Sequence, residues 1–93
     1  MIKIEWSKAK NRLNITKHSV SFEEAKSIFD DPFHISMNDP DHSLNEQRFI
    51  TMGASDQNRV LIVVHTFEDY NIRIISARRP TRQERRHYEE RAK

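Results

Sequence analysis

The sequence predicts a single α+β domain with a mostly antiparallel sheet of about four to five strands, two helices near the amino terminus and one at the carboxy terminus. Three observations predict it. Three segments alternate apolar and polar residues at the period of a strand, and two more, Arg48 to Ala54 and the apolar run from Arg59 to Phe67, read as strands beside them. Two Ser/Thr-x-x-Glu boxes, at Ser21 and Thr81, announce helix starts. Finally, 93 residues with no repeat or linker make one domain over 1–93, in the order β-α-α-β-β-β-β-α.

Each element has its own signature. Ile2, Ile4 and Trp6 alternate with Lys3 and Glu5, which makes a short half-buried strand. Ser7 caps a helix from Lys8 to about His18, with Ala9 and Leu13 on one side and Lys10, Asn11, Asn14 and Lys17 facing elsewhere. Ser21-Phe22-Glu23-Glu24 is a capping box with Val20 and Ala25 as its staple. Phe22, Ala25, Ile28 and Phe29 form the stripe of a second helix, stopped by Asp31-Pro32. Phe33, Ile35 and Met37 mark a second strand, ending in the loop Asp39-Pro40-Asp41-His42-Ser43. Arg48 to Ala54 is a third strand closed by Gly53, and Asp56-Gln57-Asn58 turns the chain into a fourth, Arg59 to Phe67, central by its apolar run Val60–Val64. After a turn near Glu68-Asp69, Tyr70 to Arg78 is the fifth. Thr81-Arg82-Gln83-Glu84 boxes a terminal helix in which only Tyr88 and Ala92 can face a core.

Composition narrows the function. Cysteine is absent, which excludes disulfide scaffolds, thiolate zinc sites and thiol catalysis. No apolar run approaches a membrane span and the first residues lack the apolar stretch of a signal peptide, so a cytoplasmic protein with no membrane partner is expected. A single glycine builds no glycine-rich nucleotide loop, and no cofactor is expected. With 35% apolar residues the core is thin, which favours a partner.

Charge is unevenly placed. Residues 1–26 carry a net +3, 27–47 carry −5 with no basic side chain, and 48–93 carry +4. Arg78, Arg79, Arg82, Arg85, Arg86 and Arg91 crowd the carboxy-terminal region. This is either a solvated helix face laced with Glu84, Glu89 and Glu90, or the footprint of a polyanion site; arginine's planar fork matches phosphate.

The five histidines fit no zinc signature, and His34, Asp39, Asp41 and His42 read as loop and strand-end residues, so no metal site is expected. His65 ends an apolar strand and is either a satisfied core histidine or a proton-transfer group. A hairpin loop of two or four residues puts Ile74, Ser76 and Arg78 on its side; a three-residue loop puts Arg73 and Arg79 there. A histidine sharing a face with arginines suits cleavage of RNA, which brings its own 2′-hydroxyl nucleophile. Tyr88 either anchors the last helix or assists as a proton-transfer or stacking group. Lys17-His18 either favours the helix dipole or touches substrate. No glycine-flanked turn exposes Ser76 as a nucleophile.

Through Trp6, the run Lys17-His18-Ser19-Val20-Ser21-Phe22-Glu23-Glu24-Ala25, Asp30-Asp31-Pro32, Val64-His65-Thr66, Arg73 to Arg79, Arg85, Tyr88 and Glu89, the chain resembles the BrnT toxin family over about residues 4–91. That resemblance implies a RelE-like fold and a metal-independent endoribonuclease that leaves a 2′,3′-cyclic phosphate and arrests translation. It also implies a type II partnership with a BrnA-like ribbon-helix-helix antitoxin, through which operator DNA is reached indirectly. On matching positions His65, Arg78, Arg79 and Tyr88 form the catalytic set and Lys17, Arg73 and Arg85 bind substrate, together with Arg82 of the same arginine crowd. The alternative is a non-catalytic module that binds RNA or a partner as one subunit of a DNA-binding repressor complex. Relatives often carry glycine where this chain has Ser19; a left-handed turn there strains serine by about 1–2 kcal/mol.

Overall fold

Segments rich in isoleucine, valine and aromatic residues build most of the five strands: β1 (Lys3–Trp6), β2 (Ile35–Asn38), β3 (Phe49–Ala54), β4 (Val60–Glu68) and β5 (Asn71–Arg78). They form one sheet in the order β1-β5-β4-β3-β2, so β1 and β2 are the edges. Pairing is antiparallel from β2 to β5, but β1 lies parallel to β5, Lys3 beside Asn71 and Trp6 beside Ile74. The sheet is therefore mixed, because the segment between β1 and β2 places β1 on the far side of β5. The computed structural model describes residues 2–39 and 46–93; most of the polar loop expected after β2, including Asp41, His42 and Ser43, lies outside them.

Helices α1 (Lys8–His18) and α2 (Phe22–Ser27), with a 3-10 turn at Ile28–Asp30, follow β1, and α3 (Arg82–Arg91) follows β5. On one face of the sheet Val20, Phe22, Ala25 and Ile28 bury Leu61, Val63, Ile72, Ile74 and Ala77, and Trp6 meets Phe22 edge-on at 6.4 Å. On the opposite face Tyr88 packs with Met52 and Ile62, flanked by Ala92, the docking expected from the sparse apolar content of α3.

Helix α1 docks with the side the sequence reading turned outward. Leu13 is 70% exposed and Asn14 only 6%. The Asn14 carboxamide donates to Val20 O and Ala77 O, both at 2.8 Å, and accepts from Ala77 N at 3.1 Å. Asn11 Oδ1 takes Phe22 N–H at 2.8 Å. Backbone groups left unpaired beyond the end of β1 need polar partners more than the core needs Leu13.

Two other expectations change. The Ser21 hydroxyl caps Glu24 N–H, but the Glu24 carboxylate turns to Ser55 and Arg59 instead of returning to the cap, so the box is half formed. Gly53 lies inside β3 and closes nothing; a Cβ there would stand 3.1 Å from Ile28 O and 3.2 Å from the His34 Cβ, so the position is small to let the 3-10 turn approach.

Ser19 does adopt the left-handed conformation, with φ 58 and ψ 33, as the C-cap of α1. Replacing Ser19 by glycine should raise stability by about 1 kcal/mol in a denaturant melt. Asn14→Leu should cost about 3 kcal/mol by stranding the Ala77 and Val20 backbone groups, whereas Leu13→Lys should stay within about 0.5 kcal/mol. Equal effects at positions 13 and 14 would contradict this docking of α1.

Candidate functional site

The last residue of β5 and the start of α3 form an arginine-rich corner. Thr81 and Glu84 complete the expected capping box. The same Glu84 receives both guanidinium nitrogens of Arg78, at 2.9 and 3.0 Å, and this pairing holds its pKa down to about 2. Arg78 therefore has its charge matched, and fastens β5 to α3.

A cleft of about 300 Å³ opens beside this corner, lined by Arg59, Val60, Arg79, Pro80 and Arg85. Arg59, at the foot of β4, clamps Glu24 through Nε at 2.7 Å and Nη2 at 2.6 Å and also donates to Ser19 O at 3.0 Å. That clamp pulls the Glu24 carboxyl below its ordinary range against the effect of burial. The bond to Ser19 brings the end of α1, with exposed Lys17, toward the same corner. Arg79 is exposed and forms no ion pair among the described residues, and Arg85 meets only Glu89, at 3.7 Å across exposed side chains. Arg82, on the first turn of α3, is exposed as well.

His65 stands elsewhere. It is 4% exposed, stacked on Phe49 at 5.9 Å with Phe29 edge-on at 5.0 Å. Its Nδ1 lies 3.1 Å from Thr66 O, which can only accept, so Nδ1 carries the hydrogen and Nε2 accepts the Thr51 hydroxyl at 2.6 Å. Thr51 in turn receives the hydroxyl hydrogen of Ser36 at 2.6 Å. Both ring nitrogens are occupied, and burial pushes the imidazole pKa down.

The β4–β5 hairpin has the two-residue loop, Asp69 and Tyr70 both left-handed, and pairs His65 with Ile74 as expected. A bulge between Val64 and His65 then shifts the register: Val64 pairs with Ser76, Val63 with Ala77 and Ile62 with Arg78. Ser76 and Arg78 are thereby carried to the face opposite His65, and Ala77 takes the place beside the core. Arg73, paired with Thr66, is on that opposite face too, so no arginine of β5 shares a face with His65. The six residues from Arg59 to His65 span about 20 Å of strand, which separates His65 from the arginine cleft.

Arg73 lies toward the far end of β5 in a cleft lined also by Glu5, Glu46, Glu68 and Asp69, bonded to Glu46 at 2.7 Å; these acidic surroundings repel phosphate. Tyr88 is buried and donates its hydroxyl hydrogen to Asp31; burial first, then this bond, raises its pKa to about 12. Asp31 also accepts Ala54 N–H and Phe33 N–H, which tie α3 to β3 through one carboxylate. The structure thus gathers Arg79 and Arg85 with Arg59, brings Lys17 toward the same corner, and sets His65, Arg73 and Tyr88 apart. Sequence reading passed over Arg59 and its partner Glu24; a lone arginine after a turn and a glutamate inside a capping box carry no signal of their own.

Among the described residues no three His, Asp or Glu side chains gather as a metal site, and no helix is long and apolar enough to cross a membrane.

A family model described as "Ribonuclease toxin, BrnT, of type II toxin-antitoxin system" matches residues 6–84. The fold is similar to the crystal structure of the Brucella abortus ribonuclease toxin BrnT, with a TM-score of 0.64 and 19% identity over 88% of this chain and 100% of that one. No curated protein sequence matches.

His65 gives a pH test of its buried network. The unfolded histidine takes a proton near its ordinary value of 6.5, the folded one only at lower pH, so below 6.5 the unfolded state holds more protons. Stability should be full above that value and fall as pH drops from it toward the folded pKa. Thermal melts between about pH 7 and pH 5 should show this fall in the wild type and a shallower one in His65→Gln. Equal slopes would remove His65 from the linkage.

Proposed function

Because the chain belongs to the BrnT family, the ribonuclease toxins of type II toxin–antitoxin systems, we propose that it cuts RNA without a metal ion, and that the scissile phosphate sits in the arginine cleft between β5 and α3. One observation carries this reading: three arginines line a single cleft, and Arg79 among them has no ion-pair partner among the described residues. The ribose 2′-hydroxyl attacks the adjacent phosphorus as its proton passes to water in the open cleft, and the bond to the 5′-oxygen of the next nucleotide breaks as that oxygen takes a proton from water, giving a 2′,3′-cyclic phosphate and a 5′-hydroxyl. Arg79 and Arg85 stabilise the charge that gathers on the crowded phosphorus, and Lys17 and Arg82 hold neighbouring phosphates. Arg59 and Arg78, already clamped by Glu24 and Glu84, fix the walls.

The reading places the toxin in the cytoplasm, where cutting messages halts translation. Its antitoxin is a BrnA-like ribbon-helix-helix protein that covers the exposed arginines of α3 and carries this chain to operator DNA. Support for that placement is the face of α3 away from Tyr88 and Ala92, where Arg82, Arg85 and Arg86 stand exposed.

Purified protein incubated with RNA in excess EDTA should produce fragments ending in 2′,3′-cyclic phosphate. Arg79→Ala should slow cutting about a hundredfold with an unchanged circular dichroism spectrum, and Arg73→Ala should leave the rate nearly as it was. Cutting that survives Arg79→Ala with Arg85→Ala, or that stops in EDTA, would overturn the reading.

A further inference from the structure

A second cleft, of about 420 Å³, lies on the face of the sheet that carries His65, near the free ends of β1 and β2; Phe29, Phe49 and Phe67 supply its aromatic lining, and Asp30, His34 and Ser36 its polar groups. Phe67 is 45% exposed, and no ring stacks on it among the described residues.

His65, which also lines the cleft, has both ring nitrogens committed to Thr66 and Thr51, and the other polar side chains are all acceptors. His34 Nδ1 lies 2.7 Å from Asp31 O and must donate to it, which leaves Nε2 as an acceptor with no partner among the described residues. Asp30 is exposed and its carboxylate has no hydrogen bond or ion pair among the described residues. The Ser36 hydroxyl hydrogen is committed to Thr51, because Thr51 gives its own to His65, so Ser36 Oγ can only accept. His65 therefore sets the polarity of the cleft from beneath: its Nδ1–H bond to Thr66 O fixes the direction of the whole hydroxyl chain.

Resting on the reading of the chain as a ribonuclease, we propose that this cleft takes one nucleobase of the RNA and selects a base whose edge carries N–H donors, guanine above the others. Aromatic walls accept any base; acceptor-only groups choose among them. Guanine offers N1–H and N2–H side by side, matching the two oxygens of the Asp30 carboxylate, with a further amino hydrogen for His34 Nε2 or Ser36 Oγ. Adenine and cytosine offer only an amino group, and uracil a single N–H between two carbonyls that face other acceptors. Strand β5 separates this cleft from Arg79 by about 20 Å, so the chosen base lies several nucleotides from the cut bond.

The test is a titration of the wild-type protein with GMP, AMP, CMP and UMP, read by NMR at the ring signals of His34 and Phe67. GMP should move both rings at about a tenth of the concentration that UMP needs, the worth of a hydrogen bond to a charged group, and Asp30→Asn should erase that preference while binding of the bare ring remains. Equal midpoints for all four nucleotides, or no movement, would overturn the proposal. So would benzyl alcohol moving the rings as readily as GMP, which would make the cleft an apolar groove for a protein side chain. Cutting in EDTA, measured on the same preparation, separates the two readings. A nuclease whose rings ignore GMP refutes the base cleft alone; a protein that prefers GMP and cuts nothing supports the cleft and refutes the nuclease.

Discussion

The carboxamide of Asn14 holds the molecule together where the sheet would otherwise fail. Strand β1 stops at Trp6, opposite Ile74, so the edge of β5 beyond that point has no neighbouring strand. A peptide-like side chain takes the missing place, giving and receiving one hydrogen bond at Ala77, while its second amide hydrogen secures Val20 O. An unpaired buried N–H and C=O would together cost several kcal/mol. One residue thereby fixes α1, the turn into α2 and the strand end from which Arg78 and Arg79 project.

The carboxylates near those arginines pair with part of the basic charge and leave the rest open. Glu24 holds Arg59 and Glu84 holds Arg78, each by two bonds, and both pairs brace elements that meet at the cleft. Arg79 stands close enough to depress the Glu24 pKa without joining it. A corner with every arginine paired would have little left for phosphate, and one with none paired would repel itself. Burial makes the Glu24–Arg59 pair the stiffer of the two, since the Glu24 side chain is 2% exposed.

Much of this was legible in the sequence. The existence and order of β1 to β5, the Thr81 box and the single aromatic anchor of α3 follow from the sequence because each is set by local pattern or capping. Faces were harder. Leu13 and Asn14 exchanged places because the unpaired edge of β5 is a tertiary fact, made by where β1 ends. A one-residue bulge moved Ser76 and Arg78 away from His65, and a bulge leaves no mark in an alternating pattern like Ile72 to Arg78. The arginine corner was visible as a crowd of residues, whereas Arg59 enters it only through the sheet.

The pairing of β1 with β5 has a consequence for the order in which this chain becomes functional during synthesis. The first strand can pair with nothing until the fifth has emerged from the ribosome, and the Asn14–Ala77 bonds join residues 63 apart. Contacts of such long range close late. The residues that finish the sheet are followed at once by those that carry the arginine corner, so a nascent or truncated chain has neither a closed fold nor an assembled cleft. The arginine corner is thus assembled only after β5 and α3 have both been made.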